Sequence, residues 1–209
     1  MSPEVVLGIT GSIGAYKAAD LVRRLKERGC AVSCVMTKEA CQFIAPLTLQ
    51  ALSERKAHTE LFSLEEPAVI HTTLADHASL VLIAPATANV IAKLANGFAD
   101  DVLTCVALAT KAPVLIAPAM NVHMYEHPMV QGNLKRLRRL GYHVVGPQVG
   151  RLACGYDAVG HLAEVEDIVQ AALHLLPSIG HPEPSKAPSR RGPVRAGRRS
   201  HVRVAVRKR

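Results

Sequence analysis

Four short apolar runs constrain this chain more than any other feature. They are Val5-Val6-Leu7-Gly8-Ile9, Ala31-Val32-Ser33-Cys34-Val35-Met36, Leu80-Val81-Leu82-Ile83-Ala84 and Pro113-Val114-Leu115-Ile116. Each has the length of a strand, and none alternates apolar with polar residues, so both faces of each must be covered. The stretches between them have helical spacing. Residues 16–28 put Ala18, Leu21, Val22 and Leu25 on one face and stop at Gly29. Residues 40–53 read as helix interrupted at Pro46, a short helix starts at 70–75, and residues 88–95 and 101–110 are helices separated by Asn96-Gly97. Residues 130–140 form an amphipathic helix whose basic face (Lys135, Arg136, Arg138, Arg139) reads as solvated, 143–146 a further strand, and 164–176 a last helix. This alternation predicts an α/β fold: a doubly wound, Rossmann-like and flavodoxin-like parallel sheet with right-handed crossovers and helices on both faces.

Composition agrees where it bears on the core. Apolar residues make up 49% of the chain, aromatics only 3%, and there is no Trp. That describes a core of Val, Leu, Ile and Ala, as expected of helices on a parallel sheet. A strand begins by Val5, so no signal peptide is expected, and no apolar run reaches the roughly 18 residues of a membrane span. Five cysteines without a CxxC pair suggest neither a disulfide framework nor a zinc site, and favour a reduced, cytoplasmic setting. The net charge of +8 belongs to the end of the chain. From Ser178 onward there are ten Lys and Arg against one acid, Glu183, whereas the preceding residues hold fifteen basic and sixteen acidic groups. The expected organisation is a folded domain over 1–177 and a basic, Pro/Arg-rich, disordered tail over 178–209.

In a parallel sheet, ligands bind beyond the carboxyl ends of the strands. There this chain carries Thr10-Gly11-Ser12-Ile13-Gly14 after the first run, Thr37 after the second, Pro85-Ala86-Thr87-Ala88-Asn89 after the third and Pro118-Ala119-Met120-Asn121 after the fourth. The glycine turn suits a phosphate, although its spacing is not the dinucleotide fingerprint; the other reading is a tight turn only. Small residues let a flat ligand approach the backbone. Asn121 either meets a ligand or caps the next helix. The glycine-rich stretch at 150–160 reads as a loop able to close over a site.

Taken together, these segments resemble the flavin-dependent cysteine decarboxylases over residues 4–175. The resemblance rests on Gly-Ser-Ile-Gly at 11–14, His71 followed by Leu74-Ala75, Ala-Pro-Ala-Thr-Ala-Asn at 84–89, Pro-Ala-Met-Asn-x-x-Met at 118–124 and Leu-Ala-Cys-Gly at 152–155. Tyr125 stands where the family has Trp, Ala158 where it has Gly, and His161 where it has Arg. His cannot supply the bidentate donor of an Arg.

The resemblance is nearest to the branch acting in coenzyme A synthesis, often the N-terminal half of a bifunctional protein. It implies FMN as cofactor and decarboxylation of 4′-phosphopantothenoylcysteine to 4′-phosphopantetheine. Loss of CO₂ from a cysteine carboxylate leaves a carbanion with no electron sink, and transient oxidation at the thiol-bearing carbon provides one. The roles it implies are His71 as base, Cys154 as proton donor in the reductive half, and Asn121, Met124 and Ala153 at the substrate. Gly11, Ser12, Ile13 and Thr37 would hold the phosphate, and Phe43, Ala86, Thr87, Ala88, Asn89 and Met120 would contact ring and ribityl. No metal is implied. The expected assembly is a homotrimer or homododecamer with FMN between subunits. Three other readings remain: a peptidyl-cysteine decarboxylase that stops at the enethiol, a flavin prenyltransferase, which shares the fold but not the His and Pro-Ala-Met-Asn set, and a non-catalytic regulatory paralogue. The tail is either the linker of a truncated bifunctional chain or a non-specific polyanion contact. No membrane or sequence-specific nucleic-acid partner is expected.

Overall fold

A computed structural model of the chain describes residues 2–62, 69–151 and 157–176. Five parallel strands form the central sheet: β1 (Glu4–Ile9), β2 (Ala31–Met36), β3 (Leu80–Ala86), β4 (Val114–Pro118) and β5 (His143–Val144), in the order β2-β1-β3-β4-β5. The helices are α1 (Ala18–Glu27), α2 (Pro46–Ser53), α3 (Ile70–His77), α4 (Ala88–Asn96), α5 (Val102–Ala109), α6 (Val122–Glu126), α7 (Pro128–Arg139) and α8 (Val165–Leu175). Among the described residues no helix is long and apolar enough to cross a membrane.

Apart from Glu4 in β1 and Ser33 in β2, the four long strands are apolar because successive side chains enter different cores. Val5, Leu7 and Ile9 of β1, with Leu80 and Leu82 of β3, join Leu21 and Leu25 of α1 and Ile168 and Val169 of α8. Val6 of β1, with Val81 and Ile83 of β3 and Ile116 of β4, joins Ile91 of α4, Leu103 and Val106 of α5 and Leu134 and Leu137 of α7. The doubly wound sheet expected from the sequence is therefore the one observed.

Local departures have local causes. Residues 13–17 form a 3₁₀ turn before α1, capped by the Ser12 hydroxyl, which accepts from the Gly14 N–H at 3.3 Å. Pro46 occupies the first turn of α2, where its missing N–H costs nothing. α7 starts at Pro128 for the same reason, two residues earlier than the spacing suggested. The stretch read as a glycine-rich loop is bounded by two antiparallel strands, β6 (Gln148–Arg151) and β7 (Asp157–His161). The tail over 178–209 lies outside the described residues.

Gly8 sets the distance between β1 and α5, because a methyl group there would run into the Cδ1 of Leu103, itself 1% exposed. Gly8→Ala is therefore expected to cost about 1–3 kcal/mol by overpacking. In denaturant unfolding, Gly8→Ala combined with Leu103→Val should recover part of that loss.

Candidate functional site

The carboxyl ends of the strands are tied together before any ligand is considered. The Thr10 hydroxyl, 1% exposed at the end of β1, donates to the Pro85 carbonyl at 2.7 Å and accepts from the Thr87 N–H at 3.1 Å. The Thr37 N–H donates to the Ile9 carbonyl at 3.0 Å, and the Ala119 N–H to the Ala86 carbonyl at 3.1 Å. Turns that leave four different strands are thus held to one another by short polar bonds.

Between them lies a cavity of about 270 Å³. Gly11, Ser12, Thr37 and Glu39 line one part of it, and Thr87, Ala88, Asn89 and Val90 another, with Ala119, Met120 and Met124 completing the apolar wall. Lys93 and Asp101 also line it. The Lys93 ammonium lies 2.8 Å from Asp100 and 3.1 Å from Asp101. Hydrogen bonding to Asp100 first, and then to Asp101, holds the Lys93 pKa above its ordinary value, while the same ammonium lowers that of Asp100.

Of the two readings its position suggested, the structure shows Asn121 as the cap of the next helix, at the border of the cavity. Its Oδ1 caps α6 by accepting from the His123 N–H at 2.9 Å, and the residue stands directly after Met120 of the cavity wall. The cap fixes the amide and makes Nδ2 the donor end.

The second attachment is β7. The Met120 N–H donates to the Gly160 carbonyl at 3.0 Å, and Gly160 has φ +131 with its Cα against the Met120 carbonyl oxygen. The hairpin that brackets residues 152–156 is therefore docked backbone to backbone on the loop carrying Asn121.

Eight residues singled out from the sequence line the cavity: Gly11, Ser12, Thr37, Thr87, Ala88, Asn89, Met120 and Met124. Ala86 is fully buried in β3 and contributes its carbonyl to the loop beside it. Ile13 and Phe43 are exposed and stand outside the lining. His71 lies in the first turn of α3, also outside the lining, with a buried Nδ1 that has no hydrogen-bond partner. Ala153 and Cys154 lie outside the described residues. Thr10, Glu39, Val90, Lys93, Asp101 and Ala119 are lining residues that sequence reasoning did not single out. Thr10 and Ala119 adjoin quoted motifs and could have been found; Lys93 and Asp101 meet only because the chain reverses at Gly97. Burial pushes the Cys34 thiol up to about 12, and raises those of Cys30, Cys41 and Cys105 as well.

A family model described as Flavoprotein matches residues 1–176. The chain is 52% identical over 169 residues to the coenzyme A biosynthesis bifunctional protein CoaBC of Bacillus subtilis (strain 168), covering 80% of this chain and 42% of that protein. It thus spans less than half the length of that bifunctional relative. It is 46% identical over 173 residues to a probable phosphopantothenoylcysteine decarboxylase of Streptococcus mutans, covering 81% of this chain and 97% of the relative. Among solved structures, a PPC decarboxylase variant complexed with pantothenoylaminoethenethiol superposes with a TM-score of 0.75 at 31% identity, covering 82% of this chain and 96% of that one. The FMN-dependent cysteine decarboxylase SpaF gives 0.73 at 32%, with 82% and 95% covered.

Gly160→Ala should detach the hairpin, because the new methyl group meets the Met120 carbonyl oxygen and the φ is one that L side chains rarely adopt. Limited proteolysis within residues 148–161 is expected to accelerate without loss of the sheet's circular dichroism. Native alkylation at pH 8 should spare Cys34, whose thiol stays protonated until the pH approaches about 12.

Proposed function

The chain belongs to the flavoprotein family, and from that premise we propose that it is an FMN-dependent decarboxylase. Its substrate is 4′-phosphopantothenoylcysteine, its product 4′-phosphopantetheine, and its setting coenzyme A biosynthesis in the cytoplasm. One observation carries the reading more than any other. Asn121, its amide oriented by a helix cap, follows a wall of small residues at the carboxyl edge of the sheet, beneath a docked hairpin.

The residues present fit FMN. Ala88 and Ala119 leave the backbone accessible to a flat ring, and Met120 and Met124 offer soft apolar surface. Gly11 lies so close to Glu39 that a side chain there would collide with the Glu39 Cβ, so the turn keeps its N–H groups near the cavity only as glycine. Gly11, Ser12, Ile13 and Thr37 hold the phosphate in this reading, Ala86, Thr87, Ala88 and Asn89 line ring and ribityl, and Phe43 and Met120 contact the ring. Bound there, FMN would supply the two-electron redox chemistry that gives the carboxylate-bearing carbon an electron sink for loss of CO₂.

The chain's own residues bind, orient and move protons. The Nδ2 of Asn121 donates to the substrate carboxylate and holds the breaking bond in one orientation. Met124 and Ala153 flank the substrate. His71 removes the thiol proton, for which a neutral imidazole is suited. Cys154, on the segment bracketed by β6 and β7, gives a proton in the reductive half.

His71 does not line its own chain's cavity, and its buried Nδ1 is unpartnered. Ile13 and Phe43, 60% and 46% exposed, stand beside the same strand ends. Both facts support an assembly, a homotrimer or a homododecamer, in which His71 serves a neighbour's site.

The test is direct. The purified full chain should be yellow and should release CO₂ from 4′-phosphopantothenoylcysteine with formation of 4′-phosphopantetheine. Asn121→Asp should lower kcat/KM by about a hundred-fold, and His71→Asn by about a hundred-fold or more. Cys154→Ser should accumulate a product lighter by two hydrogens, the enethiol. If the wild type stops at that enethiol, a peptidyl-cysteine decarboxylase replaces this reading, and if it binds no FMN the reading falls.

A further inference from the structure

Lys17 ends the 3₁₀ turn that follows Gly11 and Ser12, and its ammonium lies 3.2 Å from the Nε2 of His161 at the end of β7. An ammonium group can only donate, so Nε2 is the acceptor in this contact. The ring is packed over Gly150 of β6, which fixes it from the other side. The contact orients the ammonium through a ring nitrogen.

The carboxylates nearby are engaged elsewhere. Asp20 is bound by Arg23 and Arg24, at 2.8 and 2.9 Å, and these hydrogen bonds hold its carboxyl below the usual range. Glu166 lies 2.8 Å from Arg28 and 3.2 Å from Arg24, and Glu164 accepts from Gln148 at 2.6 Å. Among the described residues, no carboxylate lies within ion-pair distance of Lys17. Lys17 lines a groove of about 580 Å³ together with Arg24 and these same three carboxylates, Asp20, Glu164 and Glu166.

The root of the hairpin adjoins the reaction site. Gly160 is bonded to Met120, and His161 is the next residue. The 3₁₀ turn from the cavity to Lys17 spans roughly 10 Å at about 2 Å per residue. The arm between the cysteine and the phosphate of the proposed substrate is as long as about four residues of chain, on the order of 13 Å when extended.

We infer that Lys17, positioned by His161, binds the phosphate monoester at the far end of the substrate, with the thiol end at Asn121. This rests on the functional reading above. A phosphate monoester is also present on FMN, and the inference commits to the substrate's.

The experiment uses the full chain loaded with FMN and compares 4′-phosphopantothenoylcysteine with its dephosphorylated analogue, by equilibrium binding and by turnover. The wild type should bind the phosphorylated compound more tightly. Lys17→Met should weaken that binding and raise KM by about ten-fold or more, the worth of one charged hydrogen bond. Its effect on the dephosphorylated compound should stay within about two-fold. Lys17→Arg should keep the preference, His161→Gln should keep it through the amide oxygen, and His161→Phe should lose most of it. The flavin-to-protein ratio and absorption spectrum should not change. Equal weakening toward both compounds overturns the inference, as does loss of flavin from Lys17→Met, which would assign the phosphate to the cofactor. Should the wild type bind both compounds and decarboxylate neither, the functional reading fails, while the binding comparison still decides the role of Lys17.

Discussion

Everything in this molecule depends on strands that are apolar on both faces. Val5, Leu7 and Ile9 enter one core while Val6 enters the other, and β3 repeats the division. Neither face has room for a polar group that reaches solvent, so polar chemistry is displaced to the strand ends. Parallel direction then gathers those ends along one edge. The site is the place where the sheet's apolar demand stops.

At that edge the backbone is fixed by bonds that use no ligand. Thr10 is both donor and acceptor, between Pro85 and Thr87. The Oδ1 of Asn121 caps a helix directly after Met120 of the cavity wall. Residues of ordinary structural type, threonines at element ends, thus also line the cavity.

The sheet, its covering helices and most of the cavity wall were legible in the sequence because they follow from local patterns: unbroken apolar runs, helical spacing, and small residues at strand ends. Gly11, Thr87 and Met120 belong to that group. Lys93 and Asp101 were not legible, since their meeting depends on how α4 and α5 turn about Gly97 rather than on either helix alone. The strands β6 and β7 were hidden by glycines at 150 and 160, which weaken a strand signal and, at 160, answer a steric need imposed by Met120. Ile13 and Phe43 were placed at the cofactor by resemblance, and in a single chain they face outward. His71 was nameable as a reactive group, but its position relative to a cavity is a property of more than one chain in the proposed assembly.

The ledge tied by Thr10 and the hairpin docked on Met120 differ in how they come apart. The ledge joins β1 to β3 at the centre of the sheet, so it opens only when the whole cooperative unit opens. The hairpin meets the cavity loop through the Met120–Gly160 main-chain bond and the Gly160 contact, far from the centre of the sheet, and is expected to open at lower free energy than the ledge. A destabilised variant would accordingly lose the hairpin contact first and the ledge last, and the two losses would follow different temperature dependences.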